Sequence, residues 1–323
     1  YGVFASLPSP AFAAYIADVV PAPNRQRAYV LQSWAVNFGY AIGPIIANQL
    51  VKVSYALMFY VEAIVMIAVT VLLVVFFREA RHLGLAVPRV GNGHMGMSLD
   101  AGATGDAARS EVKAAPAKVS MMRNYARAMT DGPFMLFAVL MFGYYIVYFQ
   151  STSSLPIAMT ELGMGTGEYS ILLTINGGML CLLQIPAMKL FARMGNARVL
   201  VLGLAITMIG YFVQIFAHSW VGFALAVVLW TIGELGTFPI ATTTVAEMAP
   251  TDASGTYQGV YNVFWSVSTA LAPLVGGWVI SGFGGRNLWI ACTVVLCMVT
   301  IGLMMSKSSR ERDIARNLIE VTV

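Results

Sequence analysis

Pro239-Ile-Ala-Thr-Thr-Thr-Val-Ala246-Glu247-Met-Ala-Pro250 repeats the layout of Pro10-Ala-Phe-Ala-Ala-Tyr-Ile-Ala17-Asp18-Val-Val-Pro21 at an offset of 229 residues. Pro10 falls on Pro239, Ala17 on Ala246, Asp18 on Glu247 and Pro21 on Pro250. Further along, with no gap, Pro44 falls on Pro273 and Arg78 on Lys307. Self-similarity at one fixed offset, carried mainly by prolines and acids, is the mark of a duplicated unit. The unit is apolar, which places it in a membrane, where paired halves around a central site suit transport.

Composition supports the membrane. The 323 residues are 58% hydrophobic and 11% charged, and the mean hydropathy is +0.74. A water-soluble chain carries about 25% charged residues, so this one lacks the polar surface for water. Nine apolar runs have roughly the 20 residues that a helix needs to cross hydrocarbon. They span 1–20, 29–51, 55–77, 133–155, 168–190, 197–217, 220–248, 256–281 and 286–306. None alternates polar and apolar residues as the strands of a membrane barrel do.

Of the 19 Lys and Arg residues, 17 fall in alternate connections. These are the loop after the first run, the long segment after the third, the loop after the fifth and the C-terminal tail. Lys52 and Arg286 are the exceptions. The positive-inside rule therefore predicts that these connections and the C-terminus face the cytoplasm of a cell membrane, with the compact loops fitting a bacterial inner membrane. The cations form no stripe, so nucleic acid is not an expected partner. Cys181, Cys292 and Cys297 lie in apolar runs without metal-ligand spacing, and read as small buried residues. Neither a phosphate-binding loop nor a catalytic triad is present, so no cofactor, metal or enzymatic activity is expected.

Residues 79–130 are rich in Gly, Ala, Ser and charge and read as a cytoplasmic linker, ending in a short amphipathic helix near Met121–Met129. The expected organisation is then 1–78 as three helices of an N-terminal half, the 79–130 linker, 131–307 as a six-helix C-terminal half, and a tail at 308–323. Under the offset, the spans within 133–217 have no earlier counterparts, and a matching first half would extend about 96 residues upstream of Tyr1.

Local motifs sharpen this reading. Gly39-Tyr-Ala-Ile-Gly43-Pro44 resembles the fifth-helix signature of the major facilitator superfamily, in particular its drug–proton antiporter branch. Ala272-Pro273-Leu-Val-Gly276-Gly277 stands at the matching place in the eleventh helix. Pro156 after Tyr148 and Gln150, and Asn176 with Gln184 and Pro186, resemble the seventh and eighth helices of bacterial members. The resemblance implies an all-α membrane protein with a two-half helical bundle, in which the nine spans correspond to helices 4–12 of 12. Two departures stand out: Ala47-Asn48 replaces a Gly pair, and Ala192 stands where the gating-loop motif has Asp. Physically, Gly39 and Gly43 share a helix face and can admit a close neighbour. Pro44 removes a backbone donor and can kink its helix. The duplicated set Gly39, Gly43, Pro44, Pro273, Gly276 and Gly277 therefore reads as hinge and packing, although ordinary membrane-helix packing also uses Gly and Pro.

Glu234 is the sharpest chemical signal, because it sits in the middle of an apolar run. An ionised carboxylate in hydrocarbon costs several kcal/mol unless it meets a cavity, a partner or a proton. Burial disfavours the charged form of a carboxyl, which suits a proton-coupling or cation-binding group. Glu62 is a second candidate, nearer a membrane surface, where it can simply reach headgroups. In the family resembled, the first, fourth, seventh and tenth helices line the cavity, which promotes Tyr144, Tyr148, Gln150 and Trp230. Asn176 and Gln184 complete the cavity candidates, and for each of them interhelical hydrogen bonding is an equal alternative. Asp18 and Glu247 lie at cytoplasmic helix ends, with Arg25 and Arg27 close to Asp18; they read first as helix-end ion pairs that can also serve as gate residues, and each acid there should attract a cation.

The expected function is secondary active transport, with proton-coupled export of small amphipathic molecules. The alternatives are a proton-coupled uptake symporter for a small metabolite and a truncated, non-transporting membrane fragment. The expected partners are a small-molecule substrate, protons and the lipid bilayer, with the protein a monomer.

Overall fold

A computed structural model describes residues 22–82, 121–191, 193–250 and 253–322, and every regular element in them is an α-helix. Helix α1 is Ala22–Val53 and α2 is Tyr55–His82. Short α3 (Met121–Thr130) forms where the sequence suggested an amphipathic helix. Then come α4 (Gly132–Tyr148), α5 (Gln150–Ser153), α6 (Leu155–Glu161) and α7 (Thr166–Phe191). Helices α8 (Asn196–Gln214), α9 (Trp220–Met248), α10 (Ser254–Phe283), α11 (Gly285–Met305) and α12 (Lys307–Thr322) complete the chain.

Seven helices among the described residues are long and apolar enough to cross a membrane. They match seven of the nine expected runs. The run at 1–20 lies outside the described residues. The run at 29–51 is helical within α1, but Gln32, Asn37, Asn48 and Gln49 dilute its apolar content and it is not among the seven. Cys292 is buried as expected, whereas Cys297 is exposed and Cys181 half-buried, so two of the three thiols do not sit in the core.

The described residues form two units. One holds 22–34 and 54–82, where the outer surface of α2 is apolar, as a lipid-facing helix requires. The other holds 35–53 and 121–322. In this second unit α4 packs against α10 and α11, while α8 packs against α9 and α11, and α9 against α7. Phe134, Phe137, Met141 and Tyr144 of α4 are buried at the centre with Tyr257 and Tyr261 of α10 and Leu296 and Leu303 of α11.

Small residues decide how closely these helices approach. A Cβ on Gly203 of α8 would stand 2.7 Å from the Gly233 carbonyl oxygen of α9, and one on Gly210 would stand 2.7 Å from the Trp230 backbone nitrogen. Backbone therefore meets backbone along α8 and α9, as small-residue packing in membranes allows. The segment 35–53 of α1 runs antiparallel to α7. Asn37 Nδ2 donates to Gln184 Oε1 at 2.7 Å at one end, and Asn48 lies beside Gly167 at the other. Between them Gly177 lies against the backbone of Tyr40 and Ala41. The close approach expected at Gly39 and Gly43 is thus made between them, at Tyr40 and Ala41. A Cβ built on either glycine would meet nothing within 4 Å among the described residues beyond its own stretch of helix.

Asp131 starts α4, accepting from the Phe134 backbone N–H at 3.1 Å through Oδ1 and from the Tyr257 hydroxyl at 2.8 Å through Oδ2. Pro133 in the first turn adds a residue suited to a helix start. At its other end the span breaks at Phe149 and again at Ser154. Gln150 bridges the break, donating to the Ile146 and Ala272 carbonyls at 3.1 and 3.0 Å and accepting from the Ser154 hydroxyl at 2.5 Å.

Candidate functional site

Glu234 is buried on α9, with 6% of its side chain exposed. Its neighbour Gly233 is pressed against α8, with the Thr207 backbone nitrogen 2.7 Å from where a Cβ would stand. One residue further along a helix turns the side chain by roughly 100°. The packing that holds Gly233 on α8 therefore directs Glu234 away from α8, towards α7 and α4. There Asn176 Nδ2 of α7 donates to Glu234 Oε2 at 3.0 Å, and the Tyr148 hydroxyl of α4 donates to Oε1 at 3.3 Å. Asn176 Nδ2 also donates to Thr231 Oγ1 at 3.0 Å, and the Thr231 hydroxyl donates to the Val227 carbonyl at 2.6 Å. Val227, Thr231 and Glu234 are spaced four and three apart, so they share one face of α9.

Both carboxyl oxygens are thus met by neutral donors from two other helices. Among the described residues no cation lies within 4.0 Å of Glu234. A buried carboxylate without a counter-charge is costly, while the protonated acid is not. The arrangement can therefore hold a proton and give it up when a cation or water approaches. No group of three metal-ligating side chains exists among the described residues.

Aromatic rings crowd the same place. The Tyr148 ring lies 4.8 Å from Phe238 and 6.0 Å from Trp265, and Phe149 lies 4.9 Å from Trp265. Tyr144 stacks on Tyr148 at 6.3 Å, as their shared helix face predicts. Tyr145 packs against Trp265 at 4.8 Å and hydrogen-bonds the Tyr261 hydroxyl.

Of the candidates named from sequence, Glu234, Tyr148 and Asn176 come together directly, and Tyr144 joins them through its ring. Trp230, one turn before Glu234, is buried, and its indole N–H has no acceptor among the described residues. Gln150 and Gln184 do not join the carboxyl. The first ties the break after α4 to α10, and the second bonds Asn37. Pro44 and Pro273 lie inside α1 and α10, Gly276 packs on Gln150 and Ser154, and Gly277 faces open space. Glu62 lies in the other unit, on α2, with an exposed side chain. Asp18 lies outside the described residues, as do the side chains of Arg25 and Arg27. The cation expected beside Glu247 is replaced by a neutral partner: Asn196 Nδ2 donates to its Oε1 at 2.9 Å. Glu247 is exposed, so water does what a cation would do in the interior. Sequence reasoning passed over Thr231 and Phe238. Thr231 could have been found, because it stands three residues before Glu234 on the same helix face.

Comparison with known proteins decides the family. The model of the Major Facilitator Superfamily matches residues 1–153 and, separately, 134–318. The chain belongs to the major facilitator superfamily. Two relatives from Bacillus subtilis (strain 168) carry the description uncharacterized MFS-type transporter. YttB is 24% identical over 296 residues, covering 89% of this chain. YqjV is likewise 24% identical over 296 residues, covering 90% of it. The chain spans 65% of the length of each. The fold recurs in a crystal structure of a POT family transporter in complex with 5-aminolevulinic acid. That match has a TM-score of 0.63 and 14% identity, and covers 93% of this chain and 73% of the other. A second POT family transporter structure, in complex with a thioalcohol-conjugated peptide, has a TM-score of 0.59 and 16% identity, with the same coverage. The protein is thus a multi-pass, all-α membrane protein of the major-facilitator type.

Proposed function

We propose that this chain is the greater part of a secondary active transporter that exports small amphipathic molecules in exchange for protons, with Glu234 as the proton-carrying group. The observation that carries the proposal is the setting of Glu234. It is a buried carboxyl met, among the described residues, only by the neutral donors Tyr148 and Asn176. Protonated, it is at ease in this site; deprotonated, it calls for a positive charge. A cationic or neutral substrate that reaches it would compete with the proton, while Tyr148, Phe149, Phe238 and Trp265 offer the ring faces that attract apolar bodies and cations. The outward direction rests on the resemblance of Gly39–Pro44 to the drug–proton antiporter branch. The family's two-half arrangement further supports three N-terminal helices at 1–78, a cytoplasmic linker at 79–130, a six-helix half at 131–307 and a cytoplasmic tail, in a monomer.

The test uses the full-length protein in vesicles, with an imposed proton gradient and a fluorescent lipophilic cation as probe. The expected result is accumulation of the probe against its gradient as protons flow the opposite way, lost in Glu234→Gln. Movement of probe and protons in the same direction would establish uptake symport instead. A Glu234→Gln protein that pumps as well as the parent would remove Glu234 from the mechanism.

A further inference from the structure

At the end of the bundle where α8 begins and α11 ends, three cations converge that the transport reading does not use. Arg198 lies in the first turn of α8, Lys307 opens α12, and Arg310 follows it by one turn. Arg198 and Lys307 are exposed, as loop cations should be. Arg310 is not: 4% of its side chain is accessible. Its Nη1 donates to Ser306 Oγ at 2.5 Å, its Nη2 donates to the Leu303 carbonyl at 2.9 Å, and its guanidinium sits over the Phe137 ring at 5.7 Å. Burial lowers the guanidinium pKa from its ordinary value and Glu311 opposes the shift, yet an arginine remains a cation at any physiological pH. These bonds use two of the five N–H donors of the group. Among the described residues no carboxylate lies within 4.0 Å of Arg198 or Arg310.

The three cations line two adjoining cavities. One, of about 520 Å³, is bordered also by Glu247 and Glu311, and there Lys307 Nζ lies 3.6 Å from Glu311 Oε1. The other, of about 340 Å³, has no acid among the described residues of its wall. Apart from the cations, its lining is apolar: Val201, Leu202 and Ala205 of α8 face Leu303 and Met304 of α11. Leu303 and Met304 lie in the last turn of a membrane-crossing helix, and Val201, Leu202 and Ala205 run from the second turn to the middle of another. The groove therefore has positive charge at headgroup depth and hydrocarbon at acyl depth.

We infer that this groove between α8 and α11 is a binding site for one anionic phospholipid, its phosphate held among Arg198, Lys307 and Arg310 and an acyl chain lying along Val201, Leu202 and Met304. Charge complementarity selects the headgroup, since basic pockets between membrane helices favour anionic lipids. Arg310 is the anchor: its neutral bonds fix the fork in place, so little side-chain freedom is lost when a phosphate arrives. Free phosphate would use the cations but leave the apolar wall unfilled.

Native mass spectrometry of the full-length protein tests this, with phosphatidylglycerol, phosphatidylcholine and inorganic phosphate as probes. The expected result is one tightly retained phosphatidylglycerol, weaker retention of phosphatidylcholine and none of inorganic phosphate. Each surface cation near an anionic headgroup contributes roughly a fivefold gain in binding. Arg198→Gln or Lys307→Gln should then weaken phosphatidylglycerol roughly fivefold, and the pair about 25-fold, with phosphatidylcholine unchanged. Both residues are exposed, so folding survives, and an unaltered melting curve will verify it. Equal retention of the two lipids, or a double variant that holds phosphatidylglycerol like the parent, would overturn the inference. Retention of inorganic phosphate as tight as that of phosphatidylglycerol would replace the lipid with a free anion and overturn it too.

Discussion

Gly177→Ala and Gly178→Ala, neighbours on α7, should shift stability in opposite directions. In a helix interior each replacement gains about 0.8–1 kcal/mol of helix propensity. At Gly178 nothing stands within 4 Å of the new methyl, so the gain is kept. At Gly177 the Cβ would lie 2.6 Å from the Ala41 backbone nitrogen and 2.8 Å from its Cα, where ordinary contact starts at 3.4 Å. The neighbour is backbone and cannot rotate away, so α1 must retreat by about 0.8 Å, the shortfall between those distances. Overpacking of this kind costs roughly 1–3 kcal/mol, and the retreat also strains the Asn37–Gln184 bond. Because the propensity gain is common to both, the two variants should differ by about 1–3 kcal/mol, with Gly178→Ala the more stable. Thermal unfolding of the full-length protein, followed by a thiol-reactive dye at buried Cys292 in a Cys181→Ser/Cys297→Ser background, reads this difference. Equal midpoints, or a higher midpoint for Gly177→Ala, would refute the packing of 35–53 on α7.

Two further perturbations probe the polar interior. Tyr145→Phe or Tyr261→Phe alone leaves a buried hydroxyl without its partner and should cost about 1–3 kcal/mol, while the double variant should recover most of that loss; additive midpoints in thermal unfolding would show that the two rings do not share a bond. Gln150→Leu deprives the Ser154 hydroxyl of its acceptor and frees the break after α4 from α10, so unfolding by denaturant should become easier by about 1–3 kcal/mol. No change would mean that Gln150 does not hold the break.

Much of the fold was legible because membrane helices announce themselves by length and apolarity, and seven of the expected spans are helices at the expected places. The exception, α1, shows the limit: its amides make it too polar for that test, yet Asn37 uses one of them to bond Gln184. Glu234 was legible for the same reason in reverse, since a lone acid in an apolar run has few harmless explanations. Its partners were only half legible. Asn176 and Tyr148 were candidates among several polar residues, and nothing in the spacing distinguished Asn176, which reaches the carboxyl, from Gln184, which does not. That choice depends on which level of α7 lies opposite Glu234, set by the packing of α7 on α9 and of Gly177 on Tyr40 and Ala41 of α1. Arg310 was hidden too: a cation in a basic tail reads as solvated, and its burial depends on the neighbouring ring of Phe137.

On the proposed mechanism, Glu234 exchanges a proton inside the bundle. Infrared difference spectroscopy of the full-length protein in lipid, taken between acidic and alkaline pH, tests it without any substrate. A protonated-carboxyl band should appear on acidification in the parent protein, be missing from Glu234→Gln and move in frequency in Asn176→Ala as a hydrogen bond is lost. The same carboxyl difference spectrum in parent and Glu234→Gln would contradict it.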